Sequence, residues 1–130
     1  MKFLLDTNAV IAILNKKSNF IAKLKQYRPA DFGIPAIVLF ELYYGAEKSQ
    51  RTEEDLANIE RLPFEIVPFS AIDARLCGKI RADLEKIGNP IGAYDVQIAA
   101  QAKSRNLTLI THNVKEFQRV DDLAIQDWEV

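Results

Sequence analysis

Short unbroken apolar runs recur along the chain, separated by longer stretches in which apolar residues return every three or four positions. The first run, Phe3-Leu4-Leu5, predicts a strand buried on both faces, as in a parallel sheet. Val10, Ile11, Ile13 and Leu14 follow at helical spacing, with Thr7 or Asn8 as the candidate cap. Residues 15–19 form a polar break. A second helix with Phe20, Ile21 and Leu24 on one face should end before Pro29. Gly33-Ile34-Pro35-Ala36 is a short strand or an extended lead-in, and Pro35 argues against a central strand there. Residues 37–46 predict a strongly apolar helix whose single charge is Glu41. Thr52-Glu53-Glu54-Asp55 opens a helix that should stop by Pro63, because acids favour a first turn. Residues 65–68 are a second strand candidate. Ser70 or Asp73 opens a long helix with Cys77, Ile80, Leu84 and Ile87 in one stripe, broken by Gly88-Asn89-Pro90-Ile91-Gly92. Asp95 begins a further helix with Ile98, Ala99 and Ala102 inward. Residues 107–110 are a third clear strand, residues 114–117 a short helix and residues 123–125 an edge strand. Strands alternating with helices predict an α/β fold, a three-layer α/β/α sandwich around a mainly parallel sheet.

At 130 residues the chain has the length of a single domain, taken as 1–130. A composition 48% hydrophobic and 27% charged excludes a disordered chain. The net charge of −1 lacks the basic excess typical of nucleic-acid binders, but its distribution is uneven. Lys16, Lys17, Lys23, Lys25 and Arg28 fall between Thr7 and Ala30 with no acid among them. Residues 120–130 carry Asp121, Asp122, Asp127 and Glu129 and no base. A basic patch near the start therefore survives the average. Cys77 is the only cysteine, so no internal disulfide forms and a reducing, cytoplasmic setting fits. The first residues lack the pattern of a signal peptide. No apolar run approaches the roughly 20 residues that span a bilayer.

Three carboxylates carry the candidate chemistry. Asp6 follows the first strand directly, at the end where open α/β sheets place their ligands. Asp95 stands at a predicted helix start, and Glu41 interrupts an apolar helix. Each has a bland alternative: Asp6 and Asp95 as helix caps, Glu41 as a solvent-facing or lysine-paired side chain. Jointly they point to one cleft, since nothing in the sequence reserves buried bases to neutralise them. Clustered carboxylates raise one another's pKa, and a divalent cation removes that cost. Oxygen-only ligands suit Mg²⁺, with Mn²⁺ as a substitute, and one histidine with one cysteine cannot make a usual zinc site. The chemistry that follows is phosphate hydrolysis.

Leu4-Leu5-Asp6-Thr7-Asn8, Glu41 in its apolar helix, Ile91-Gly92-Ala93-Tyr94-Asp95 with Ile98-Ala99, and Thr111-His112-Asn113 together resemble the PIN-domain ribonucleases. More narrowly, the chain looks like the VapC-type toxins of type II toxin–antitoxin systems. Residues 40–49 and Asn113-Val114-Lys115-Glu116-Phe117 look like the subgroup that cuts initiator transfer RNA. The similarity runs from Lys2 to Trp128, and its specificity lies in the order of the motifs. It implies a PIN fold, a Mg²⁺-dependent endoribonuclease, a homodimer, and neutralisation by a cognate antitoxin. Asp6 and Asp95 match the family's metal ligands, and Glu41 matches an acid that binds metal directly or through water. Asn113 matches a fourth position that is aspartate in many members, so its neutrality questions a firmly held second metal. Thr7, Asn8 and Thr111 match positions that orient the carboxylates.

Other residues are weighed beside these. His112 adjoins the site and either contacts RNA or is a loop histidine without a role. Cys77 reads as a small core residue. Lys48, Arg51, Arg75, Lys79 and Arg81 line an RNA path or, individually more ordinary, solvated helix faces. Tyr43, Tyr44 and Tyr94 stack on unpaired bases or pack in the core. Val10, Ile11, Leu14, Leu39, Leu42 and Tyr43 outline a groove for an antitoxin helix. The competing functions are a PIN-type nuclease on another RNA or on DNA, and a regulatory module acting within an antitoxin–DNA complex. This chain shows no helix-turn-helix or dense basic arm, so operator DNA would be bound only through the antitoxin.

Overall fold

A computed structural model describes residues 1–130. Five parallel strands form one sheet: β1 (Phe3–Leu5), β2 (Phe32–Pro35), β3 (Glu65–Val67), β4 (Thr108–Ile110) and β5 (Ile125–Gln126), in spatial order β3-β2-β1-β4-β5. β1 is the centre, paired with β2 through Phe3↔Phe32 and with β4 through Leu5↔Ile110. Its three residues are buried, as a strand covered on both faces requires. Successive strands step outward from β1 to β3, and the chain then crosses back to β4. Right-handed crossovers place the helices between β1 and β3 on one face and those between β3 and β4 on the other. The first face holds α1 (Thr7–Leu14), α2 (Ser18–Leu24), α3 (Ala36–Lys48) and α4 (Thr52–Glu60); the second holds α5 (Ala71–Lys86) and α6 (Ala93–Ser104). A one-turn helix, α7 (Val114–Phe117), follows β4.

Several local expectations change. Pro35 does close an interior strand, because it is the last residue of β2 and pairs only with Val67, beyond the stretch in register with β1. Neither Thr7 nor Asn8 caps α1; the Asp6 carboxylate does, accepting the Ala9 N–H at 2.9 Å. Asp95 does not begin α6, whose cap position is Gly92, so the cap reading of Asp95 falls. Ile87 leaves the apolar stripe of α5: Ile80 and Leu84 are buried, but Ile87 is the C-cap, outside the last helical turn, and 69% exposed. Cys77 packs partly buried against the core as a free thiol, and burial raises its pKa. No helix is long and apolar enough to cross a membrane.

The edge of the sheet is tied to its helices by one buried carboxylate. Asp73 accepts both guanidinium arms of Arg105, at 2.7 and 3.0 Å, and the Ser104 hydroxyl. Its Oδ2 also accepts the Ser70 N–H at 2.8 Å, while Ser70 Oγ accepts the Asp73 N–H, forming a reciprocal cap on α5. Arg105 reaches on to the Pro68 carbonyl at 3.1 Å, and Gln101 Nε2 donates to the Val67 carbonyl at 3.0 Å. The exit of β3, the start of α5 and the end of α6 are thus locked together. Burial alone would raise the Asp73 pKa, but the bonds from Arg105, Ser104 and Ser70 hold it down at about 2. Removing one partner of such a buried pair strands the other, so Asp73→Ala should cost about 3 kcal/mol in urea unfolding at neutral pH. The stabilisation is full above the ordinary carboxyl value of 3.8 and is lost as pH falls through about 2. The difference between wild type and Asp73→Ala should therefore shrink as the pH is lowered from 4 towards 2.

Candidate active site

The strand order reverses at β1, so the carboxyl ends of β1 and β4 flank the crevice in which such sheets bind ligands. Asp6 leaves β1 into this crevice, and its backbone N–H reaches the Ile110 carbonyl of β4 at 3.3 Å. Thr111 leaves β4 beside it, buried, with its hydroxyl near enough to the Asp6 carboxylate to stabilise the charged form. Asp6 is 5% exposed, and burial pushes its pKa up to about 6. The Thr111 hydroxyl and the Ala9 N–H oppose that rise, whereas the carboxylates of Glu129 and Glu41 add to it.

α3 brings Glu41 to the same crevice. The Thr7 hydroxyl donates to Glu41 Oε1 at 2.9 Å, linking the first turn of α1 to α3. Glu41 therefore neither points freely to solvent nor meets a lysine. α6 brings Asp95 from its first turn. Burial raises Asp95 to about 6 as well, followed by the adjacent Glu116 carboxyl and then by Asp6 and Glu41. A shallow depression beside Asp95 is lined by Glu41, Gly92, Ala93 and Tyr94.

The three sequence-predicted carboxylates thus face one cleft. They are spread rather than clasped: the His, Cys, Asp or Glu group with ligand atoms all within 4.8 Å of one another is His112, Asp127 and Glu129. Asn113 lies where expected but works indirectly, donating from Nδ2 to Glu116 Oε2 at 2.8 Å, while its N–H is received by Thr111 Oγ1 at 2.9 Å. Asn8 is exposed and makes no side-chain hydrogen bond. Sequence reasoning missed Glu116 and Glu129. Glu116 had a signal, since it stands three residues after Asn113 on a helical turn and so shares its face. Glu129 had none; its place depends on the path of the chain after β5.

The donor set fits a hard divalent cation. Asp6, Glu41, Asp95 and Glu116 offer oxygens alone, and two of the four are held near pH 6 by burial and mutual repulsion. No lysine or arginine forms a salt bridge with any of them. Their open spacing leaves room for the waters that Mg²⁺ usually retains. Three of the candidate cations are taken: Lys79 pairs with Asp83, Arg81 with Glu85, Arg51 with Glu54 and Asp55, which supports solvated helix faces rather than an RNA path there, while Arg75 forms no salt bridge. Lys48 lies over the Tyr44 ring at 4.6 Å. Phe40, Tyr44 and Tyr94 are exposed, while Tyr43 packs partly against the core.

The chain has known relatives. The PIN domain family matches residues 3–123. The chain belongs to the PIN-domain family. Within it, the chain falls among the VapC ribonucleases: it is 38% identical to the tRNA(fMet)-specific endonuclease VapC of Shigella flexneri, over 98% of each chain. Identity is 41% to the ribonuclease VapC1 of Haemophilus influenzae strain R2866, again over 98% of each. Among solved structures, DNA-bound VapBC from Salmonella typhimurium matches with a TM-score of 0.92 at 38% identity over 98% of each chain. VapBC2 from Rickettsia felis, bound to a promoter DNA fragment, matches with 0.89 at 34% identity over 98% of this chain and 99% of that one. A divalent metal accords with a PIN domain.

Crowding of uncompensated acids in this PIN domain makes a stability prediction. Asp6 binds its proton near pH 6 when folded and near 3.8 when unfolded. Between those values the folded chain holds more protons, so metal-free stability falls as pH rises from about 4 to 6 and stays lowered above. Asparagine keeps the cap on α1 without the charge. Asp6→Asn should therefore melt higher than wild type in EDTA at pH 7.5, by an equivalent of about 2 kcal/mol, with the gap closing below pH 4. Mn²⁺ should raise the wild-type melting temperature and move the variant far less. Equal metal-induced shifts would remove Asp6 from the ligand set.

Proposed function

We propose that this single PIN domain is a cytoplasmic, Mg²⁺-dependent endoribonuclease, the toxic partner of a toxin–antitoxin pair, and that its substrate is the anticodon loop of initiator transfer RNA. The observation that carries the reading is the convergence of Asp6, Glu41, Asp95 and Glu116 on one crevice without a cation paired to any of them. The substrate rests on the relatives named for tRNA(fMet) cleavage, and the antitoxin on the related VapBC complexes.

Asp6, Asp95 and Glu41 would hold the ion, with Glu116 on the Asp95 side. When bound, Mg²⁺ supplies electrophilic stabilisation of the phosphoryl oxygens and lowers the pKa of water. The remaining parts position these groups. The Ala9 N–H holds Asp6, with the Thr111 hydroxyl beside it, Thr7 holds Glu41, and Asn113 holds Glu116 while its own N–H is fixed by Thr111. Such supporting bonds commonly matter about as much as the ligands they orient. Water adds to phosphorus in line, the bond from phosphorus to the 3′ oxygen breaks, and that oxygen leaves with a proton. The products are a 3′-hydroxyl and a 5′-phosphate, with no part for the neighbouring 2′-hydroxyl as nucleophile. An unpaired loop suits so open a cleft, because its bases can splay outward.

The antitoxin's place is a groove of about 300 Å³ between α1, α3 and α4. Ile11, Leu14, Leu42 and Ile59 supply its apolar lining, Gly45 leaves it open, and Glu41 joins it to the cleft. Of the residues outlined from sequence, Val10 is instead in the core, and Leu39 and Tyr43 lie outside the lining. An apolar helix laid there would approach Glu41 and obstruct the crevice.

Two measurements test this. Purified protein with Mg²⁺ should cut initiator transfer RNA at one loop and leave 5′-phosphate ends, whereas EDTA or Asp95→Asn should reduce the rate by at least about a thousandfold. A 2′,3′-cyclic phosphate end would overturn the mechanism, and equal cleavage by Asp95→Asn would overturn the site. Leu14→Glu should weaken capture of the cognate antitoxin by at least about tenfold while leaving cleavage intact, since it places a charge in an apolar groove. Unchanged antitoxin affinity would put the groove elsewhere.

A further inference from the structure

The loop after β4 carries a histidine that the cleavage chemistry does not use. His112 stands between Thr111, which supports Asp6, and Asn113, which supports Glu116. Its Nδ1 lies 2.9 Å from Asp127 Oδ2, and its side chain is 57% exposed. Asp127 is held firmly. Its other oxygen accepts the Glu129 N–H at 2.9 Å. Lys17 Nζ pairs with Glu129 Oε1 at 2.8 Å, and Asn19 Nδ2 donates to the Glu129 carbonyl at 2.8 Å. Between these anchors Trp128 is buried against Phe3, Phe20, Tyr27 and Phe32. The segment after β5 is therefore a strap that fixes the imidazole from one side.

That strap borders the cleft, because the Glu129 carboxylate is close enough to Asp6 to raise its pKa and lies within 4.8 Å of His112 and Asp127. Lys17 neutralises Glu129 and the ring occupies Asp127, so the trio is a clasp whose members are already paired. The pairing dictates what the histidine offers. A carboxylate only accepts hydrogen bonds, so Nδ1 carries the hydrogen, and in that tautomer Nε2 presents a lone pair. Phosphate oxygens are acceptors and give such an atom nothing to bind. Along an RNA strand the donor repeated beside every phosphate is the ribose 2′-hydroxyl, which DNA lacks.

We propose that His112, set by Asp127, accepts a hydrogen bond from a ribose 2′-hydroxyl of the strand crossing the cleft, and so determines a preference for RNA over DNA. The proposal rests on the nuclease reading above. Asp127 is the positioning residue, and its strap keeps the acceptor aimed without drawing on the metal ligands.

The test uses a hairpin of the initiator anticodon loop, all-ribose or with one 2′-deoxy nucleotide at the cut position or either neighbour, under single-turnover conditions with Mg²⁺ at pH 8. Wild type should lose about tenfold in rate with the deoxy sugar at one of the three positions, the scale of one exposed hydrogen bond. His112→Ala should be about tenfold slower on the all-ribose hairpin and indifferent to that deoxy substitution, and His112→Gln, which retains an acceptor, should recover part of the discrimination. A wild type indifferent at all three positions, or a His112→Ala variant that slows both hairpins equally, overturns the proposal. Cleavage by Asp95→Asn at the wild-type rate would sink the nuclease reading instead. In that event the affinities of uncut ribose and deoxy hairpins for wild type and His112→Ala still decide the 2′-hydroxyl contact: a ribose preference lost in the variant upholds it, and equal affinities overturn it.

Discussion

Everything at the cleft follows from carboxylates buried without a matching cation. A carboxylate taken out of water strongly favours its neutral form unless donors or positive charge compensate. Asp6 accepts one backbone N–H and has one hydroxyl beside it, which is not enough to keep it near its ordinary value. The sheet imposes the position, since the residue after a central parallel strand has nowhere to go but the crevice. The fold thereby stores an electrostatic deficit at a point that a divalent ion can fill.

A second buried carboxylate in the same molecule shows the opposite solution. Asp73 is as deeply placed as Asp6, yet the guanidinium of Arg105 and hydroxyls of Ser70 and Ser104 surround it, and its pKa falls instead of rising. One acid is satisfied within the chain and serves cohesion; the other is left wanting and serves chemistry. The difference lies largely in neighbours supplied by distant sequence, at positions 104 and 105 for the first and at 41, 111 and 129 for the second. Burial alone therefore does not mark a functional acid; incomplete compensation does.

Much of this was legible from the residues. Apolar runs located four of the five strands to within a residue or two, and the position of Asp6 after the first run foretold the cleft. Pro35 misled because its effect depends on whether its neighbour pairs at that level, which only register reveals. Asp95 looked like a cap because periodicity does not resolve a helix start to within two residues. Glu116 could have been found by extending the Asn113 argument one helical turn. Glu129 and the strap could not, since nothing local indicates that the chain after β5 folds back against α2 and the end of β4. The antitoxin groove was half right: periodicity identified apolar positions on α1 and α3 but not which of them the core had already claimed.

The pairing of β1 with β4 has a kinetic meaning. Phe3 lies opposite Thr108, so the central contact of the sheet joins segments separated by almost the whole chain. Such long-range closure is slow, because chain entropy is lost before the contact rewards it. Helices and the β1–β2 pair can form from nearer neighbours, but Asp6 and Thr111 meet only when β4 docks. A half-folded chain thus holds its acids apart, and the cleft is complete only once β4 has docked, not when the secondary structure first forms.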